Sequence, residues 1–155
     1  MRLLLALACS SLLFVGCSSD GDSSGSSSDP YAAARTRCVE KINTFRASLG
    51  LPGYAAWDEQ STCSDGEAKS DSETGKAHGA FGTCTEMAQN ECPGWSGPPE
   101  TLIDGCLAMM WAEGPGADFS KHGHYINMSS TKYTKVSCGF YQRPDGKYWA
   151  VQNFR

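Results

Sequence analysis

Gly123-His124-Tyr125-Ile126-Asn127-Met128, followed by Tyr133, Val136, Cys138 and Gly139, is the stretch on which the fold turns. A histidine follows a glycine, where backbone freedom is high, and leads into an alternating run that reads as a strand. A histidine held at such a junction is suited to proton transfer or metal ligation. What matters next is whether residues upstream converge on it.

Immediately upstream, Pro99-Glu100 opens a helix in which Leu102, Cys106 and Met109 share one face and Ile103, Leu107 and Met110 another. A helix apolar on both sides is buried between layers. Glu113 continues the first face by one more step of four and is stopped from going further by Gly114-Pro115-Gly116. Downstream, Tyr133 to Gln142 reads as a strand, Pro144-Asp145-Gly146 as a turn and Lys147 to Phe154 as the returning strand.

Earlier in the chain, Asp29-Pro30 reads as an N-cap with proline at the first helical position. Cys38, Ile42, Phe45 and Leu49 then recur at helical spacing until Gly50 and Pro52 end the run. Asp58 caps a second helix through Cys63 and Ala68 to about Ser72. Residues 74–98, rich in Gly, Pro and Cys, read as a long loop with at most one helical turn. Helices first and strands last indicate an α+β or layered sandwich.

The N-terminus has a different character. Met1-Arg2 precedes an apolar run from Leu3 to Val15, and Ser18 to Ser28 is almost wholly Ser, Asp and Gly. A basic start, a short apolar core and a small residue before the cut describe an export signal over residues 1–16. That core is too short to span a bilayer, which takes about 20 apolar residues. Phe14-Val15-Gly16-Cys17 resembles the bacterial lipobox, which implies lipidation of Cys17 and a tether over residues 17–30 leading to one domain over 31–155. The expected location is the bacterial cell envelope, with membrane contact through the anchor; free secretion is the alternative.

Eight cysteines fit this picture. Cys9 lies in the signal and Cys17 is the lipid site, which leaves Cys38, Cys63, Cys84, Cys92, Cys106 and Cys138. Six cysteines in an exported domain imply three structural disulfides with 15 connectivities open, and Cys84 with Cys92 is the favoured first pair because they are close in sequence. No Cys-x-x-Cys pair offers a zinc knuckle. The chain is acidic, with a net charge of −4, and has no basic patch, so nucleic acid is not an expected partner.

The candidate constellation is His78, Glu86, Glu113 and His124, two imidazoles and two carboxylates. Such a set binds a divalent metal or shares protons. His122 is an alternative ligand, since residues i and i+2 of an extended segment share a face. Asn127-Met128-Ser129 matches a glycosylation sequon, a weak signal beside a bacterial-type signal peptide.

Taken in order, these residues resemble the CAP superfamily: cysteine-rich secretory proteins, antigen 5 and plant pathogenesis-related proteins, with many bacterial domains. The resemblance runs through Asn43, Arg46, Gly50-Leu51-Pro52 and Trp57-Asp58, then His78, Thr85-Glu86-Met87-Ala88, Trp111-Ala112-Glu113 and Gly123-His124-Tyr125. Glu86 takes the place of the glutamate in the family's Gly-Glu-Asn-Leu-Ala motif, although Thr85 and Met87 depart from it. The resemblance implies an α/β/α sandwich with a central antiparallel sheet, and one cleft holding His78, Glu86, Glu113 and His124. It also implies a binding module for a lipid, sterol-like or other surface ligand. The alternative is a zinc-dependent hydrolase or protease, with His78 and His124 as ligands and Glu86 or Glu113 as the catalytic base.

Overall fold

In a computed structural model that describes residues 29–155, four helices enclose one four-stranded sheet. The helices are α1 (Ala32–Ser48), α2 (Ser61–Thr74), α3 (Pro99–Trp111) and α4 (Phe119–Ser129). The strands are β1 (Ala55–Ala56), β2 (Ala88–Trp95), β3 (Lys135–Gln142) and β4 (Tyr148–Phe154), in the order β1-β3-β4-β2. Strands β3, β4 and β2 are antiparallel; the two-residue β1 adds to β3 in parallel, so the sheet is antiparallel except at that edge. The signal, the lipid site at Cys17 and most of the tether lie outside the described residues.

Strand β4 shows how the layers arise. Trp149 and Val151 pack with Ala68 of α2 on one face, while Ala150 and Phe154 join α1 and α3 in the main core on the other. The two-residue period of a strand therefore feeds two cores, and the α/β/α sandwich follows. The α2 side is polar: its buried residues are Ser64, Glu67, Ala68, Asp71 and Ser72. Ser64 bonds Ser137 of β3 through their hydroxyls at 2.9 Å, and the helix comes so close that a Cβ on Gly139 would sit 2.2 Å from the Ser64 carbonyl carbon.

Helix α1 starts two residues later than the sequence indicates, with Asp29 accepting the Tyr31 N–H at 2.9 Å ahead of the first turn. Its buried face is Ala34, Cys38, Ile42 and Arg46, whereas Leu49 is 48% exposed. Arg46 is buried because its donors find partners: it reaches the carbonyls of Pro52, Met128 and Ser130, each at 2.8 Å, and its guanidinium lies over the Tyr54 ring. That clamp ties the end of α4 to α1.

Two expectations are corrected here. The segment 74–98 is not all loop, because Ala88–Trp95 is strand β2; its buried Gln89, Asn90 and Glu91 hide the apolar alternation that marks a strand. The disulfides are Cys38–Cys138, Cys63–Cys84 and Cys92–Cys106, not Cys84 with Cys92. Strand β2 turns Cys92 into the α1/α3 core, while Cys84 faces Cys63 on α2, across the sheet.

Candidate functional site

The segment that decides the fold is a helix rather than the entry to a strand. Asp118 caps α4 by accepting the Ser120 N–H at 3.0 Å and its hydroxyl at 2.7 Å. His124, Asn127 and Met128 then fall on one helical face, with Asn127 and Met128 buried. The spacing i, i+3, i+4 was present in the sequence, but Gly123 and the short apolar run favoured a strand reading. The helix also removes His122 from the ligand set. Two residues along a helix point apart, and the His122 ring instead bonds the Glu113 and Gly114 carbonyls at 2.8 and 3.1 Å.

Glu113 lies just past the end of α3 and receives the start of the His124 segment. Its carboxylate accepts the His124 N–H at 3.0 Å and the Tyr125 N–H at 3.3 Å, and also meets His124 Nδ1. With Nδ1 turned to an acceptor, His124 carries a ring proton there, and in the neutral ring Nε2 is then the lone pair.

His78 reaches an equivalent state by a different route. The Gln89 amide donates to Glu67 at 3.1 Å and to Asn153 at 3.0 Å, so its oxygen is left to face His78 Nδ1 at 2.8 Å. The ring proton therefore sits on Nδ1 and Nε2 is again an acceptor.

The loop carrying His78 is moulded on buried carboxylates. The N–H groups of His78, Ala80, Gly82 and Cys84 end in turn on Glu91, Asp71, Glu86 and Glu67. His78 and Thr85 both have positive φ, at 59° and 65°, a conformation that costs non-glycine residues energy and is held by these contacts. Burial raises the carboxyls of Glu67 and Asp71 and pushes Glu91 up to about 7. The Cys63–Cys84 bond fixes the loop's far end.

Glu86 is therefore not with the histidines. It caps Gly82 and lies beside Glu67 beneath the loop, and it is absent from the residues lining the groove. Sequence reasoning missed Gln89 and Glu91, which do line the groove. No local signal marked them, because strand β2 buries polar side chains where an apolar alternation would otherwise show. Asn127, the sequon residue, is buried and donates to Asn90 Oδ1 at 2.9 Å and to the Gln89 carbonyl at 3.3 Å, so it does not present an acceptor for a glycan.

Three adjoining chambers make up the groove. One of about 320 Å³ is walled by Phe81, Met87, Phe119 and Tyr133. A middle one of about 220 Å³ lies between His78, Gln89, His124 and Asn127. A third, of about 440 Å³, has Glu91, Trp95, Met109 and Met110 in its walls with His78, Glu113 and His124. The loop from Gly75 onward forms one wall of this groove.

The sequence matches the model of the CAP, Cysteine-rich secretory protein family, over residues 39–154. The chain belongs to the CAP family. Among solved structures it is similar to that titled "Crystal Structure of Na-ASP-1", with a TM-score of 0.57 at 13% identity over 79% of this chain and 38% of that one. At that identity the likeness concerns the fold alone, and the chain spans well under half of that protein. No curated protein matches the sequence. In this CAP domain His78, Glu113 and His124 line one groove together with Gln89 and Glu91, and Glu86 does not.

Proposed function

We propose that this CAP-domain protein is an exported binding module whose groove takes an apolar or amphiphilic surface ligand. One observation carries the reading. Among the described residues the large exposed hydrophobics are Leu49, Phe81, Met87, Met109 and Phe119, and all but Leu49 line the groove. Exposed apolar side chains gathered at one concave site mark a binding surface, whereas scattered ones need no explanation. Three disulfides support export, as a disulfide-rich CAP domain suggests an extracellular or secreted protein. Lipidation at Cys17 would hold the groove near a membrane, where such ligands reside; membrane association lost in Cys17→Ser checks that part.

The test is saturable binding of a fluorescent fatty acyl or sterol probe, compared with Phe81→Ser/Phe119→Ser. The expected result is one site per chain, weakened about tenfold or more by the double variant. This follows because burying each aromatic is worth about 1.5–3 kcal/mol. Absence of saturable binding across lipid and glycan probes would sink the reading.

A zinc site is the second reading, favoured by the two Nε2 lone pairs. His78 and His124 would hold the metal through Nε2, since both Nδ1 atoms are secured by neighbouring acceptors. Zinc bound there would polarise a ligand's carbonyl or a water. Glu113, with its oxygens committed to His124 and Tyr125, is poorly placed to act as the base of a hydrolase. The one three-ligand convergence among the described residues, Glu67, Cys84 and Glu86, lies off the groove and has its cysteine in a disulfide. Calorimetric zinc titration of the wild type and of His78→Ala/His124→Ala decides this; equal heats in both remove the metal.

A further inference from the structure

The two ends of the groove differ in charge. The chamber walled by Phe81, Met87, Phe119 and Tyr133 has no charged side chain among its lining residues, whereas the chamber beneath Trp95 holds both Glu91 and Glu113. Lysine and arginine line neither, nor the space between them. Glu91 stands out. It is 4% exposed, its Oε2 accepts the His78 N–H at 2.6 Å, and its Oε1 has no hydrogen-bond partner. A buried carboxylate oxygen left without a donor is costly, and one that lines a chamber is a place for a ligand to supply the donor.

The acceptors around that chamber point to the same chemistry. His78 and His124 both offer Nε2 as a lone pair, because Gln89 and Glu113 occupy their Nδ1 atoms. Above about pH 7, where Glu91 is ionised, an anionic head would meet two carboxylates and no cation. A hydroxyl would supply one donor to several acceptors. A primary ammonium brings a positive charge and three donors.

The walls favour an organic cation over a hard, oxygen-ligated one. Trp95 is packed on Gly105 of α3, and Met109 and Met110 complete the enclosure. An indole face attracts ammonium groups, and thioethers pack against alkyl chains. A hard divalent ion instead takes six to eight oxygen ligands, and this chamber offers one uncommitted carboxylate oxygen.

We propose that this chamber is a cation subsite, in which Glu91, His78 and His124 accept the donors of a primary alkylammonium against Trp95 while its apolar tail follows the groove toward Phe81 and Phe119. This rests on the reading of the groove as a ligand site and gives that ligand its head group.

Three ligands of equal tail length test it on the wild-type domain by calorimetry in EDTA at pH 8, where Glu91 is ionised: octylamine, octanol and octanoate. The expected order has octylamine at least tenfold tighter than the other two. Glu91→Gln should remove most of that advantage, costing octylamine more than octanol, and Trp95→Leu should likewise weaken octylamine more than octanol. Octylamine binding no tighter than octanol overturns the cation subsite while leaving the apolar groove standing. If none of the three binds, the groove reading falls with it. The wild-type comparison decides the matter even where Glu91→Gln fails to fold.

Discussion

Gly139 is the position where a single atom decides the packing of a whole layer. Its place on β3 faces the Ser64 backbone of α2 so closely that a methyl group has nowhere to go. The neighbour is main chain, which does not rotate aside, so Gly139→Ala should cost about 3 kcal/mol, at the upper end for overpacking. Gly66, on the same helix, meets nothing within 4 Å and has an ordinary helical φ. Gly66→Ala should therefore stabilise by up to about 1 kcal/mol through helix propensity. Denaturant unfolding of both variants checks the pair; equal effects would mean that α2 can slide off the sheet at little cost.

At the scale of elements, the sequence was readable where burial is apolar. Leu102, Ile103, Cys106, Leu107 and Met110 mark α3, and the alternation through Trp149, Val151 and their neighbours marks β4. It was unreadable where polar residues are buried and satisfied by one another. Strand β2 carries Gln89, Asn90 and Glu91 in its buried half and shows no hydrophobic stripe; α2 was read as a helix, but its buried Glu67 and Asp71 gave no sign of facing inward. The same cause displaced the candidate site. His78, Glu113 and His124 were legible by type and order, whereas Gln89 and Glu91 sat inside what read as loop. Helix α4 was misread because its cap, Asp118, lies beyond a Gly-Pro-Gly stop and Gly123 interrupts a short apolar run, and its C-terminal carbonyls at Met128 and Ser130 are satisfied by Arg46 of a distant helix. That contact has no local trace. Disulfide pairing is likewise a product of layers: Cys84 and Cys92 are eight residues apart and serve opposite sides of the sheet.

Across the whole molecule, buried carboxylates set the pH dependence. Burial raises Glu67 and Asp71 above their ordinary range and Glu91 to about 7. The native state then holds more protons than the unfolded chain between roughly pH 4.5 and 7, so stability falls as pH rises through that window and levels off above it. Asp29 and Asp104, lowered by hydrogen bonds from Arg35 and Arg37, act oppositely and lose their contribution as pH drops below the usual aspartate range. A melting temperature higher at pH 5 than at pH 8 is expected, with Glu91→Gln flattening much of the slope; a profile rising from pH 5 to 8 would contradict this assignment. The same carboxylates have a second consequence. His78, Ala80, Gly82 and Cys84 send alternate amides to Glu91, Asp71, Glu86 and Glu67, so these amide protons are shielded from solvent as ladder amides are. In deuterated water an irregular surface loop should keep its label as long as the sheet does, and release it only when α2, β2 and the loop come apart together.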